Sequence, residues 1–281
     1  MSKTRIVLLT TCTMLAFAAN SLLCRMALRE THIDAASFTT FRLASGALTL
    51  WFIMQFRSRP IHPHGSWRSA IALFIYASAF SYAYLSLPAS TGALLLFGAV
   101  QATMIGYGLW QGERLDRFRS FGLLLACAGL IGLMMPGLSA PSLNGAVLML
   151  IAGISWGIYS LCGRGGTNPI ANTASNFIRT LPFAVLLSLV MSSDAVFDSH
   201  GIGYALASGA LASGLGYAVW YSVLPGLRAT SAAIVQLSVP VIAALGGAVV
   251  LREAITQQLV LSAIAILGGI ALVVVGRRSS N

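Results

Sequence analysis

Three side-chain amides interrupt otherwise apolar stretches: Asn20, Gln101 and Gln236. An amide offers N–H donors and an acceptor oxygen. In hydrocarbon it is costly unless another helix or water receives it. Two roles fit: a hydrogen bond between helices, or the wall of a cavity that holds a polar solute. Rings and hydroxyls recur one helical turn apart. Phe17 and Asn20 share a helix face, as do Ser78 and Tyr82, Phe97 and Gln101, and Trp156 and Tyr159. With Ser155, Tyr217, Trp220 and Gln236 they form a candidate substrate-binding set. Aromatic walls and a few amides suit a small amphipathic zwitterion, and packing against core or lipid is the alternative for each ring. Arg42 and Arg179 also lie inside apolar spans. They either snorkel or cap a carbonyl, or bind a substrate carboxylate.

Covalent chemistry fits less well. Gly153-Ile154-Ser155-Trp156-Gly157 matches the G-x-S-x-G nucleophile pattern, but on a helix rather than a strand-to-helix elbow. The same residues match G-x-x-x-G, a close helix-packing pattern. His32, His62, His64 and His200 fall in loops or at span ends, so no base reaches Ser155. The cysteines Cys12, Cys24, Cys127 and Cys162 lack ligand spacing. No catalytic residue, metal site or cofactor is expected.

Ten apolar spans must position these residues. They run 6–23, 36–56, 69–87, 89–110, 118–135, 144–162, 171–191, 201–224, 229–251 and 257–275. Each is long enough at 1.5 Å per residue to cross, or nearly cross, a hydrocarbon core of about 30 Å. Pro60, Pro63, Pro88, Pro136-Gly137, Pro169 and Pro225-Gly226 mark breaks. Pro182 and Pro240 lie within spans and are candidate hinges. Ala16-Phe17-Ala18 imitates a signal-peptidase site. The run continues through Cys24 and has an internal counterpart, so it is read as the first span. Charged residues are 9% and hydrophobic ones 57% of the chain. That balance defines a polytopic membrane protein and leaves no polar stretch able to fold a separate soluble domain. The net charge of +10 is no nucleic-acid signal, because Lys and Arg cluster between apolar runs. Twelve fall on the side of the termini (Lys3, Arg5, Arg57, Arg59, Arg68, Arg114, Arg117, Arg119, Arg164, Arg228, Arg277 and Arg278). Three (Arg25, Arg29 and Arg252) fall on the other. This places both termini in the cytoplasm.

The two halves of the chain repeat. Glu113-Arg114-Leu115 aligns with Glu253-Ala254-Ile255, 140 residues on, and Ser21-Leu22 with Ser160-Leu161, 139 residues on. Phe17 meets Trp156, Arg42 meets Arg179, and Tyr82-Ala83 meets Tyr217-Ala218 at nearby offsets. Asp116 and Thr256 are expected to cap the helices that follow them. Five spans per half is an odd number, so residues 1–137 and 138–281 must be inverted relative to each other. Inverted repeats are an architecture of alternating-access transporters, with the site between the halves.

Tyr217-Ala218-x-Trp220, Ala232-Ala233, Pro240-Val241-x-Ala243-Ala244, Leu251-x-Glu253 and Trp156-Gly157 resemble the drug/metabolite transporter superfamily. The resemblance covers nearly the whole chain as two five-helix units, and is nearest the bacterial amino-acid exporter branch, aromatic exporters included. Phe17 departs from the pattern, where the family often has Trp, and Val100 stands where the second half has Pro240. The resemblance implies an all-α fold of ten transmembrane helices in the cell inner membrane. It also implies export or facilitated movement of amino acids. Other metabolites or drugs remain an alternative substrate class, and a membrane-embedded enzyme or scaffold an alternative of another kind. Glu30, Asp34, Glu113, Asp116, Asp194, Asp198 and Glu253 all lie in loops or at span ends, so no intramembrane proton relay is expected. The expected partners are the small-molecule substrate and the bilayer, with no nucleic acid. The sequence does not set the oligomeric state, and a monomer is compatible with it.

Overall fold

Short polar side chains start most of the helices in the computed structural model. It describes residues 2–56, 65–112, 116–135, 141–163, 168–227, 232 and 235–276. The helices are α1 (Lys3–Glu30), α2 (Ala35–Gln55), α3 (Trp67–Tyr84), α4 (Ala89–Trp110), α5 (Arg117–Met134), α6 (Leu143–Cys162), α7 (Pro169–Val190), α8 (Ser199–Gly226), α9 (Ser238–Val250) and α10 (Gln257–Gly276). Ser2, Asp34, Ser66, Asp116, Ser142, Asn168 and Asp198 each accept a hydrogen bond from the backbone N–H three residues on. Thr256 does the same for Leu259 at 3.2 Å. These caps satisfy donors that a helix start leaves free. The expected caps at Asp116 and Thr256 are therefore present. Asp34 does more, because its second oxygen accepts from Val196 N at 3.0 Å and ties the start of α2 to the loop before α8. Burial pushes its carboxyl upward, but the bonds from Ser37, Val196 and Ala36 outweigh that and hold it below the ordinary value. The cap is complete above the ordinary carboxylate range and is lost as pH falls through the depressed value.

Among the described residues, seven helices are long and apolar enough to cross a membrane: α1, α4, α5, α6, α7, α8 and α10. The shorter α9 is also apolar. Among the described residues there are no strands. Large hydrophobic side chains such as Leu124, Ile131, Leu189, Val249 and Ile264 lie on the outside, where lipid rather than water is the matching solvent. The molecule is a multi-pass membrane protein.

The helix ends differ from the sequence reading in two informative ways. α1 continues past the expected end at Leu23 to Glu30, so it carries Arg25 and Arg29 within the helix. The span expected from 229 to 251 is turned at Leu237, and α9 begins at Ser238. Pro240 thus sits in the first turn of a new helix, where its missing N–H costs little, rather than in mid-span. Pro182 lies inside α7. Pro60, Pro63, Glu113, Arg114, Leu115, Pro136-Gly137, Arg164, Arg228, Ala233 and the arginines at 277 and 278 lie outside the described residues.

α8 is not one regular helix. Residues Ser208–Leu215 form π turns between α-helical segments. Gly209 there lies against Arg42 O and Ser45 Oγ, and Gly214 against Thr49, so α2 and α8 cross with almost no side chain between them. π turns are rare and appear mostly at functional sites.

The helix pairing is ordered. α5 packs on α10, α2 on α7, and α4 on α9. α3 and α4 pack on α6, while α8 and α9 pack on α1. α3 packs on α7 and α2 on α8.

Candidate substrate cavity

A cavity of about 430 Å³ lies between α1, α3, α4, α6 and α8. Phe17, Asn20, Phe97, Gln101, Trp156, Tyr217, Trp220 and Gln236 all line it. Its walls also include Gly163 and Pro169, on either side of the α6–α7 connection, and Leu224 and Ala232, on either side of the α8–α9 connection. The cavity therefore reaches that end of the bundle. A second concavity of about 400 Å³, between α4, α9 and α10, is lined by aliphatic side chains with Ser90. It offers little to hold a polar solute.

Aromatic rings make a continuous band along the cavity. Trp156 stacks on Tyr217 with centroids 5.1 Å apart and planes 20° apart. Tyr76 lies 4.8 Å from Trp156 and 5.5 Å from Phe80. Phe17 meets Tyr217 at 5.6 Å and Trp220 at 6.1 Å. Such contacts hold each ring in place. Asn20 is both a cavity wall and an interhelical bond: its amide nitrogen donates to Tyr76 Oη at 3.2 Å, and its oxygen accepts from Ser208 Oγ at 2.7 Å. Gln101 and Gln236 line the cavity, and no side-chain hydrogen bond ties either to another described residue.

Four of the residues singled out in the sequence lie off the cavity wall. Ser78 turns its hydroxyl back to Phe74 O at 2.8 Å. Tyr82 lies on the same face one turn on, toward Asp34 and Asp194. Two residues along a helix is about 200° of rotation, so this face is opposite the one carrying Tyr76 and Phe80. Ser155 is buried in the interior. Tyr159 donates to Thr173 Oγ1 on α7 at 3.4 Å while its ring rests 5.3 Å from Trp156. The cavity face of α6 is instead Trp156, Ser160 and Gly163. The motif around Ser155 packs: Gly153 lies against Leu96 and Ala99, and Gly157 against Thr103, so α6 seats directly on α4.

Tyr76, Phe80 and Tyr221 line the cavity without having been singled out. Tyr76, Phe80 and Tyr84 recur every four residues on α3, a stripe that could have pointed to this face. Arg42, behind the cavity, is 2% exposed. Among the described residues it caps no carbonyl: one guanidinium nitrogen donates to Tyr76 Oη at 2.9 Å, and the guanidinium lies over the Tyr76 and Phe80 rings. Arg179 is different, because it is half-exposed, bonds Ser175 and lies near the Trp67 ring.

At the opposite end, one turn beyond Ser21, the helices are tied by charge. Glu253 is buried and accepts from Arg25 Nε at 3.3 Å and from Ala89 N, at the start of α4, at 2.8 Å. Arg29 stands 4.0 Å from the same carboxylate. Arg25 also donates to the carbonyls of Tyr84 and Leu85 at 2.7 and 3.1 Å. Arg252 takes a φ of 53°, and both Leu251 N and Glu253 N bond Gly247 O. That left-handed turn carries Glu253 into the cluster, at the conformational cost a non-glycine residue bears there.

A multi-pass helical protein with a solute-sized cavity in its interior, mostly apolar with a few polar groups, has the form of a membrane transporter. Residues 143–275 match the EamA-like transporter family, and the chain belongs to it. An uncharacterized protein of Pseudomonas aeruginosa is 58% identical over 274 residues, covering 97% of this chain and 96% of that one. An uncharacterized transporter of Archaeoglobus fulgidus is 26% identical, covering 90% of each chain. A probable amino-acid metabolite efflux pump of Salmonella typhimurium is 27% identical, covering 68% of this chain and 69% of that one. A solved crystal structure superposes with a TM-score of 0.68 at 16% identity, covering 99% of this chain and 100% of that one. The likeness is one of fold.

Proposed function

We propose that this transporter moves amino acids, aromatic or other neutral ones, across the cell inner membrane by alternating access between two inverted five-helix halves, 1–137 and 138–281. The observation that carries the reading is the cavity itself. Both halves line it, it reaches one end of the bundle, and an ion cluster ties the halves together at the other. Two further features support it. Exchanging each of α1–α5 with its counterpart among α6–α10 turns the α3–α6 contact into α8–α1, α4–α6 into α9–α1, and α3–α7 into α8–α2, all of which occur. Gln101 and Gln236 stand 135 residues apart, the same offset as Tyr82 and Tyr217, and both amides face the cavity. The amino-acid assignment draws on the aromatic and amide lining and on the Salmonella relative's name.

In this reading both termini and the open end of the cavity face the cytoplasm, which the Lys and Arg distribution supports. The described acids cap helix starts, end α1 (Glu30), or sit in the Glu253 cluster and connections, so movement follows the substrate gradient without an intramembrane proton relay. Liposomes holding the purified protein, given labelled amino acids and cationic dyes in parallel, test this. The expected result is saturable movement of neutral amino acids whose rate is unchanged when a pH gradient is imposed. Movement of dyes alone, or movement only under a pH gradient, would contradict it.

A further inference from the structure

Among the described residues, the buried Arg42 has no countercharge. Its neighbours are Tyr76, Cys24 and Tyr217, side chains that carry no charge in their ordinary form at neutral pH. Among the described residues, no carboxylate lies within ion-pair distance of it. One guanidinium nitrogen, Nη1, is buried with no hydrogen-bond partner. An arginine so placed is expensive, and intramembrane ionisable residues are held by a partner or mark a ligand path.

Tyr76 connects that charge to the cavity. Its hydroxyl oxygen accepts from Arg42 Nη2 at 2.9 Å and from Asn20 Nδ2 at 3.2 Å. Two donors occupy both lone pairs of a phenol oxygen, and what remains is its single O–H proton. Two N–H donors, one of them charged, polarise that O–H bond and strengthen it as a donor. Asn20 is fixed in this sense, because Ser208 donates to its oxygen and leaves the amide nitrogen to face Tyr76. Tyr76 and Asn20 both lie in the cavity wall. The wall at this point presents a donor backed by a buried positive charge.

We infer that the Tyr76–Asn20–Arg42 constellation is an anion subsite that anchors the substrate by a carboxylate, which accepts from the Tyr76 hydroxyl while Arg42 supplies the field behind it. This rests on the amino-acid reading but is separable from it. Tyr76 is the binding residue and Arg42 a positioning residue that orients and polarises it. Selection is then for an acidic group: an amine of the same ring and chain length lacks the acceptor and meets an uncompensated positive charge.

The cavity tryptophans Trp156 and Trp220 give an intrinsic fluorescence readout for binding in detergent. The probes are phenylalanine, phenylacetate and phenethylamine. Phenylalanine and phenylacetate are expected to bind, and phenethylamine at least ten-fold more weakly. Tyr76→Phe, which keeps the ring, should weaken both carboxylates by ten-fold or more and phenethylamine by less than three-fold. Arg42→Lys, which keeps the charge, should retain more carboxylate affinity than Arg42→Gln. A thermal unfolding scan identifies any arginine variant that does not fold, and Tyr76→Phe decides the matter without it. Binding of phenylacetate but not phenylalanine would uphold the anion subsite and overturn the amino-acid reading. Equal binding of phenethylamine, unchanged carboxylate affinity in Tyr76→Phe, or binding of none of the three would overturn the subsite.

Discussion

Replacing Glu253 by Ala is expected to open the transporter at the end opposite its cavity mouth. Glu253 is shared by three elements: α1 through Arg25 and Arg29, the start of α4 through Ala89 N, and its own segment after α9. Removing one member of a buried ion pair costs about 3–5 kcal/mol. Arg25 keeps its bonds to the Tyr84 and Leu85 carbonyls, so the net loss here is nearer ~2–3 kcal/mol. The whole of that loss falls on the state in which the cluster is made. At about 1.4 kcal/mol per ten-fold, the balance between the two openings shifts roughly 30- to 140-fold. In a chain whose four cysteines are replaced, with Ser21→Cys in the cavity wall, a membrane-impermeant maleimide should reach that position from the Glu253 side. Labelling should be at least ten-fold faster in Glu253→Ala than in its parent, and net transport should fall by a similar factor. Glu253→Gln keeps an acceptor for Ala89 N and should lie between. Unchanged labelling would remove the cluster from any gating role.

Trp156→Ala is expected to have the largest effect on affinity. Trp156 is the one ring in contact with Tyr76, Tyr159 and Tyr217 together, so its loss deletes a wall and frees three neighbours at once. A buried aromatic anchor in a binding pocket contributes about 2 kcal/mol or more, which corresponds to roughly 30-fold or more in Kd. Trp156→Phe retains a flat face and should remain within about three-fold of the parent. Titration with labelled phenylalanine, alongside a thermal unfolding scan of each variant, separates a lost wall from a lost fold. Equal affinity in Trp156→Ala would mean that substrate does not touch this band.

The residues legible from sequence share one property: they are out of place in hydrocarbon. Asn20, Gln101 and Gln236 are amides in apolar runs; Phe17, Trp156 and Tyr217 stand out by spacing or repeat alignment, and Trp220 by the motif it shares with the resembled superfamily. The caps Asp116 and Thr256 were legible because a helix start needs an acceptor. Tyr76 and Phe80 were not, because α3 carries small, hydroxylated and aromatic residues on all its faces. With no single polar stripe, spacing cannot say which face meets the cavity, and the Ser78–Tyr82 face lies about half a turn away. Arg42 was read with Arg179 because the alignment pairs them, yet one is buried and the other half-exposed. The link from Glu253 to Arg25 spans 228 residues. It depends on the left-handed turn at Arg252, which no local pattern announces.

Exchange across a sealed membrane tests the central claim most directly. Liposomes containing the purified protein and loaded with unlabelled phenylalanine are placed in trace labelled phenylalanine, with no other gradient. A carrier whose cavity faces one side at a time should accumulate label transiently above the outside level. Trp156→Ala and Tyr76→Phe should abolish that overshoot. Label that never exceeds equilibrium with the outside, or an overshoot equal in protein-free vesicles, would contradict alternating access through this cavity.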